Sequence, residues 1–269
     1  MFTSATTRRY VLTFSRQCRR FKHTTFTEKC PKPTYDTGCT FCTPPPEIQA
    51  TSKTPPESIR HTIPPLSKVI VYRSNNKDNE SWPKKVEAYD IMRNISKVGR
   101  GNGNMICLSS LSPKHPEAIE TEADFFIFPD AKNIYIDLQS QSQDTAFVKL
   151  FQTSNSGKAL ESTPTLTVTP VEKTIVLICG HAKRDIRCGV VGKSVHDEFV
   201  QVLSQEKLSD KIELGYISHV GGHVYAGNVV ILKPDGTVTW YGMVQPQHVQ
   251  GIVEKSIKDN QVIEELSRN

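Results

Sequence analysis

Cys179 and Cys188 have eight residues between them, and thirty residues further along His219 and His223 have three between them. Two thiolates and two imidazoles make a complete four-ligand set for a metal centre. A zinc finger would carry its cysteines about two to four residues apart, so a loop this wide suits an object larger than one ion. The residues point to an iron–sulfur cluster. Gly221 and Gly222 stand between the histidines. Lacking Cβ atoms, they allow the sharp turn that would bring both imidazoles to one metal and the backbone close to the sulfides. His181, inside the cysteine loop, has no matching partner and is expected to support the site without ligating. Arg184 and Arg187 are expected either as solvated charges or as cations near the sulfurs that could meet an acidic partner.

A second group of thiols lies near the N-terminus. Cys39 and Cys42 form a Cys-x-x-Cys, with Cys30 upstream. Such a spacing can give a redox pair or half of a metal site. A thioredoxin motif opens a helix, and Pro44, Pro45 and Pro46 forbid one here. The alternative is a pair of ordinary thiols in a coil. Cys107, between Ile106 and Leu108, reads as a small buried hydrophobe. Gly192-Lys193-Ser194 invites a nucleotide loop, but that motif needs glycine at position 187, which is arginine.

The elements that must hold the ligands follow from apolar patterning. Thr174–Ile178 is an all-apolar strand of the buried kind, with Cys179 at its carboxyl end. A helix then carries Val195, Phe199, Val202 and Leu203 on its core face, and Ile212–Ile217 forms the strand that delivers His219 and His223. Two strands flank the turn at Pro234-Asp235-Gly236, and Val249, Ile252, Val253 and Ile257 mark a final amphipathic helix. Upstream, strands are expected at 68–72, 105–108, 124–128 and 133–138, with a helix from Pro83 to about Val98 on the side of Val86, Tyr89, Met92 and Ile95. No internal repeat is legible.

The chain divides by composition into four segments. Residues 1–27 carry six basic and no acidic residues and are rich in Ser and Thr, the composition of a mitochondrial transit peptide. Residues 28–66, with nine of the seventeen prolines, are expected as an extended lead-in. Residues 67–165 read as a small α/β domain and 166–269 as a second. Without the first segment, 27 basic residues face 28 acidic ones, so the net charge of +5 gives no argument for nucleic acid. No apolar run approaches the roughly 20 residues of a membrane span.

Cys-x8-Cys followed by His219-Val-Gly-Gly-His223, with Val224-Tyr-Ala-Gly-Asn228 and Trp240-Tyr-Gly242, resembles the sucrase/ferredoxin-like family of thioredoxin-like ferredoxins, and the basic N-terminus resembles its mitochondrial fungal branch. The likeness covers roughly residues 171 to 258. It implies an α/β chain with a C-terminal thioredoxin-like ferredoxin domain preceded by a smaller divergent α/β domain. It also implies a [2Fe–2S] cluster on Cys179, Cys188, His219 and His223. Two thiolates leave the oxidised core neutral, and histidine ligation raises the potential above the all-cysteine value of about −400 mV. The expected role is mitochondrial electron transfer or redox control in the matrix, with redox protein partners and without a substrate pocket of its own. The alternatives are a thiol–disulfide oxidoreductase coupling the cluster to Cys39 and Cys42, or a structural Cys2His2 zinc protein. Because all four ligands fall within one unit, a fragment beginning near Val171 is expected to keep the cluster.

Overall fold

The computed structural model describes residues 25–46, 48, 58–99, 103–115, 121–139, 147, 150 and 160–269. The expected transit segment lies outside them except for β1 (Thr25–Thr27). β2 (Lys68–Arg73) and β3 (Asn104–Ser109) run parallel, joined through α1 (Asp90–Gly99). β4 (Glu122–Phe128) lies antiparallel beside β2, and β5 (Lys132–Asp137) antiparallel beside β4. β6 (Leu166–Pro170), which follows the boundary expected near residue 165, adds to the outer edge of β5 and so belongs to the sheet of the first half.

The chain then repeats the plan. β7 (Thr174–Cys179) and β8 (Ile212–Ile217) are parallel around α2 (Ile186–Gln205). β9 (Val229–Leu232) lies antiparallel beside β7, and β10 (Val238–Tyr241) antiparallel beside β9. Each half thus has its fourth strand next to the third, the third next to the first, and the first next to the second, which is the thioredoxin-like order. The repeat lies in topology and not in residue identities, so the sequence conceals it. β3 and β8 meet antiparallel at Ser109 and Ile217 and fuse the halves into one nine-stranded sheet. α3 (Val249–Ile252), continued by a π-turn over Val253–Lys258, covers the second half with α2. β11 (Gln261–Ile263) pairs in parallel with β1.

The alternating strands feed three cores. Ile70, Phe125, Ile127 and Ile134 pack under Met92 and Ile95 of α1, and Val176, Ile178 and Ile231 pack under α2 and α3. The third core joins the two halves, with Val69, Phe126 and Phe128 of the first clustered with Leu177, Leu232 and Trp240 of the second. The sheet curls enough for this that the β9–β10 turn at Gly236 lies against the Pro129 carbonyl.

Two expectations are adjusted. The helix begins at Asp90 and not at Pro83; Val86–Ala88 is a separate 3-10 turn, and Tyr89 is extended. At roughly 100° per residue, a strict three-residue spacing drifts by about 60° each step, so one helix would set Val86 and Ile95 on opposite sides. The break lets both enter the same core. The Pro-rich segment is also more than a lead-in. Its described part straps onto the second half: the Thr34 amide donates to Gln250 Oε1 (2.9 Å), Gln250 Nε2 donates to the Tyr35 carbonyl (2.7 Å), and the Cys30 amide donates to Glu265. Among the described residues no helix is long and apolar enough to cross a membrane.

Candidate metal centre

The predicted ligands come from β7, the helix α2 and the segment after β8, at the carboxyl ends of β7 and β8, where parallel strands of an open α/β sheet gather their sites. Cys179 closes β7 opposite Ile217. Cys188 lies in the first turn of α2, whose N-cap Asp185 accepts the Arg187 amide at 3.0 Å. His219 stands two residues beyond β8. Both thiols are fully buried. His219 Nδ1 is 4.0 Å from Cys179 Sγ and 3.8 Å from Cys188 Sγ, and the three ligand atoms lie within 4.8 Å of one another. His223 waits at the mouth, with its side chain 50% exposed and its ring 5.9 Å from that of His219.

The electrostatics favour metal binding. The Cys188 thiol donates toward Cys179, and His219 and the Val220 amide assist; together they hold Cys179 well below an ordinary thiol despite its burial. That same shared proton, with burial, pushes Cys188 up. Cys188 lies in the first turn of α2, where the helix dipole adds partial positive charge beside its sulfur. Gly192 is where α2 crosses β7; a Cβ there would collide with the Cys179 carbonyl oxygen, so close helix-on-strand packing accounts for this glycine.

The supporting residues have distinct jobs. His181 is buried, its Nε2 is 2.9 Å from the Pro83 carbonyl, and its Nδ1 accepts the His219 amide at 3.3 Å. Burial lowers its pKa and keeps the ring neutral, as this bonding requires. Arg187 is spent on Asp185, with Nε and Nη2 reaching the two carboxylate oxygens at 2.9 and 2.8 Å. Arg184 instead lines a cavity of 460 Å³ that borders His219 and also holds Lys84, Lys85 and Glu87. Cys39 and Cys42 are not part of this cluster. They sit on the strap against the middle of α2.

Sequence reasoning missed Arg268. Its buried guanidinium donates to Asn228 Oδ1 (2.6 Å) and the Gly221 carbonyl (3.3 Å), and to the carbonyl and hydroxyl of Thr62 (2.9 and 3.1 Å), while lying 4.9 Å from the Tyr225 ring centroid. It therefore clamps the turn between the histidines. Gly221 and Gly222 have φ of +84° and +69°, and a Cβ on Gly222 would stand 2.6 Å from Arg268 Nη2. No local pattern announces an arginine 47 residues from the Gly221 carbonyl that it holds.

A sequence model of the sucrase/ferredoxin-like family matches residues 59–269. The chain is 31% identical over 273 aligned positions to altered inheritance of mitochondria protein 32 of Clavispora lusitaniae, covering 91% of this chain and 96% of that protein. It is 32% identical to the protein of that name from Meyerozyma guilliermondii, covering 93% and 97%. Among solved structures it is similar to a thioredoxin-like [2Fe–2S] ferredoxin from Aquifex aeolicus, with 26% identity, a TM-score of 0.29 and coverage of 36% of this chain and 90% of that one.

Proposed function

Because the chain belongs to the sucrase/ferredoxin-like family, we propose that it is a mitochondrial [2Fe–2S] protein that carries electrons or controls redox state. The carrying observation is the meeting of two buried thiols and the His219 imidazole within 4.8 Å at the strand ends, with His223 beside them. Cys179, Cys188, His219 and His223 would hold the cluster, which would supply one-electron transfer.

The chain's own residues prepare that chemistry. Burial of Cys179 and Cys188 excludes water from the sulfur side, and the α2 amino end favours thiolate there. His181 fixes the His219 backbone, and Arg268 fixes the glycine turn that carries His223. The exposed edge at His223 leaves a route for a redox protein partner, and Lys84, Lys85 and Arg184 would favour an acidic one. The names of the relatives and the composition of residues 1–27 support import into mitochondria, with the matrix as destination. Residues 67–165 and 166–269 form, in this reading, a divergent thioredoxin-like domain and the ferredoxin domain.

The test is iron, sulfide and zinc analysis with electron paramagnetic resonance on the purified protein. Two irons and two sulfides per chain are expected for a [2Fe–2S] centre, lost in Cys179→Ser and Cys188→Ser. His219→Cys and His223→Cys should keep iron at a lower potential, since each adds a negative charge. One zinc per chain without sulfide would establish the structural zinc alternative instead.

A further inference from the structure

The N-terminal strap holds a second constellation that the metal centre does not use. Cys39 and Cys42 are the first and last residues of a turn closed by the Cys42 amide donating to the Cys39 carbonyl at 3.1 Å. The ends of such a turn lie within about 7 Å at their Cα atoms, a limit that takes in the roughly 4.4–6.8 Å that a disulfide spans. Both cysteines are free thiols. Cys42 is exposed, Cys39 is half-buried, and Phe41 between them is 61% exposed, so the tip faces solvent.

The turn does not hang loose. Glu198 of α2 is fully buried and accepts the hydroxyls of both Thr37 and Thr40, the latter at 2.8 Å. Thr37 Oγ1 also accepts the Cys39 amide at 3.2 Å, and the Thr37 amide donates to Thr40 Oγ1 at 3.0 Å. A buried carboxylate thus grips the turn from below while its two sulfurs remain above. Such an anchor reduces the freedom that forming a disulfide would remove, which raises the effective concentration of one thiol beside the other. Glu198 is ten residues beyond Cys188, about 15 Å along the helix, so the pair stands apart from the metal centre.

We infer that Cys39 and Cys42 form a thiol–disulfide exchange site for a low-molecular-weight disulfide. The exposed Cys42 thiolate attacks one sulfur of the substrate disulfide, forming a mixed disulfide and releasing the first thiolate. Cys39 then gives its proton to solvent and attacks Cys42 Sγ, which releases the second thiolate. The pair loses two electrons, the substrate disulfide gains them, and excess thiol drives the reverse. Burial and the neighbouring Cys42 raise the pKa of Cys39, which suits it to resolve rather than attack. The inference does not rest on the cluster.

The test uses the full chain in glutathione buffers of graded ratio, quenched in acid and alkylated, with peptide mass spectrometry over residues 37–43. The expected result is a Cys39–Cys42 disulfide whose fraction follows the ratio. Cys39→Ser should trap one glutathionyl group on Cys42, whereas Cys42→Ser should trap markedly less on Cys39. Thr40→Val, which removes one hydroxyl from Glu198, should lower the disulfide equilibrium about fivefold without changing trapping at Cys42 in the Cys39→Ser background. A pair that stays reduced across all ratios, or equal trapping in the two serine variants, would overturn the assignment. Iron content measured in the same samples separates this outcome from the cluster reading.

Discussion

At the scale of single residues, two glycines that look equivalent in sequence have different duties. Gly221 has open space where a Cβ would be, whereas Gly222 faces Arg268 Nη2. Alanine at either position meets a left-handed backbone, costing about 1–2 kcal/mol. At Gly222 it must also displace a buried guanidinium with four hydrogen-bond acceptors. Gly222→Ala should therefore lower stability and iron content more than Gly221→Ala, as chemical denaturation and iron analysis on both variants would register. Equal losses would remove the clamp from the account. Asp124 supplies a second case. Burial raises its pKa from 3.8 to about 6, against the opposing Lys114 amide and Arg73. The folded state therefore binds more protons than the unfolded chain between those values. The stability that Asp124 contributes is full below about pH 4 and declines as pH rises through about 6, by roughly 3 kcal/mol at 1.36 kcal/mol per unit. Unfolding free energies from pH 4 to 7 should fall less steeply in Asp124→Asn than in the parent.

Among the elements, α2 has the most connections. Its first turn carries Cys188, its Gly192 rests on β7, and its Glu198 grips the thiol turn. The Asp185 cap begins it and also holds Arg187. Asp185→Ala should cost about 1 kcal/mol through the lost cap, a fall of roughly 2–4 °C in Tm for a chain of this size. Asp185→Asn keeps a capping oxygen but gives up the paired charge, so it should retain most of the stability. A Tm in the alanine variant unchanged from the parent would mean that Cys188 is positioned by packing alone. The break between the 3-10 turn and α1 teaches a related lesson, since a three-residue repeat over ten positions is too short a period for one straight helix.

Over the whole molecule, the two halves are not separable in the way that ligand positions alone suggest. Arg73 of β2 is buried and reaches Glu213 of β8 at 2.7 Å, across the joint between the halves. Trp240, Leu177 and Leu232 share a core with Val69, Phe126 and Phe128. A fragment beginning at Val171 would expose that apolar face and lose the strap over α2 and α3. The expectation that such a fragment keeps the centre is therefore revised. It should show weak near-ultraviolet circular dichroism, dye-binding apolar surface and little iron. Cooperative unfolding with full iron content would restore the earlier expectation.

The sequence alone determined the candidate ligands, their order, and the strands that end at Cys179 and just before His219, because buried strands and residue spacings are local patterns. It also marked Gly221 and Gly222 as a turn and Cys39 and Cys42 as a possible redox pair. Tertiary structure decided what depends on residues distant in sequence: that Arg268 seats the histidine turn, that Glu198 anchors the strap, and that the first half repeats the topology of the second. In that repeat Arg73 ends β2 where Cys179 ends β7. Backbone pairing and burial preserve such a correspondence even when side chains diverge, and only the paired strands make it visible.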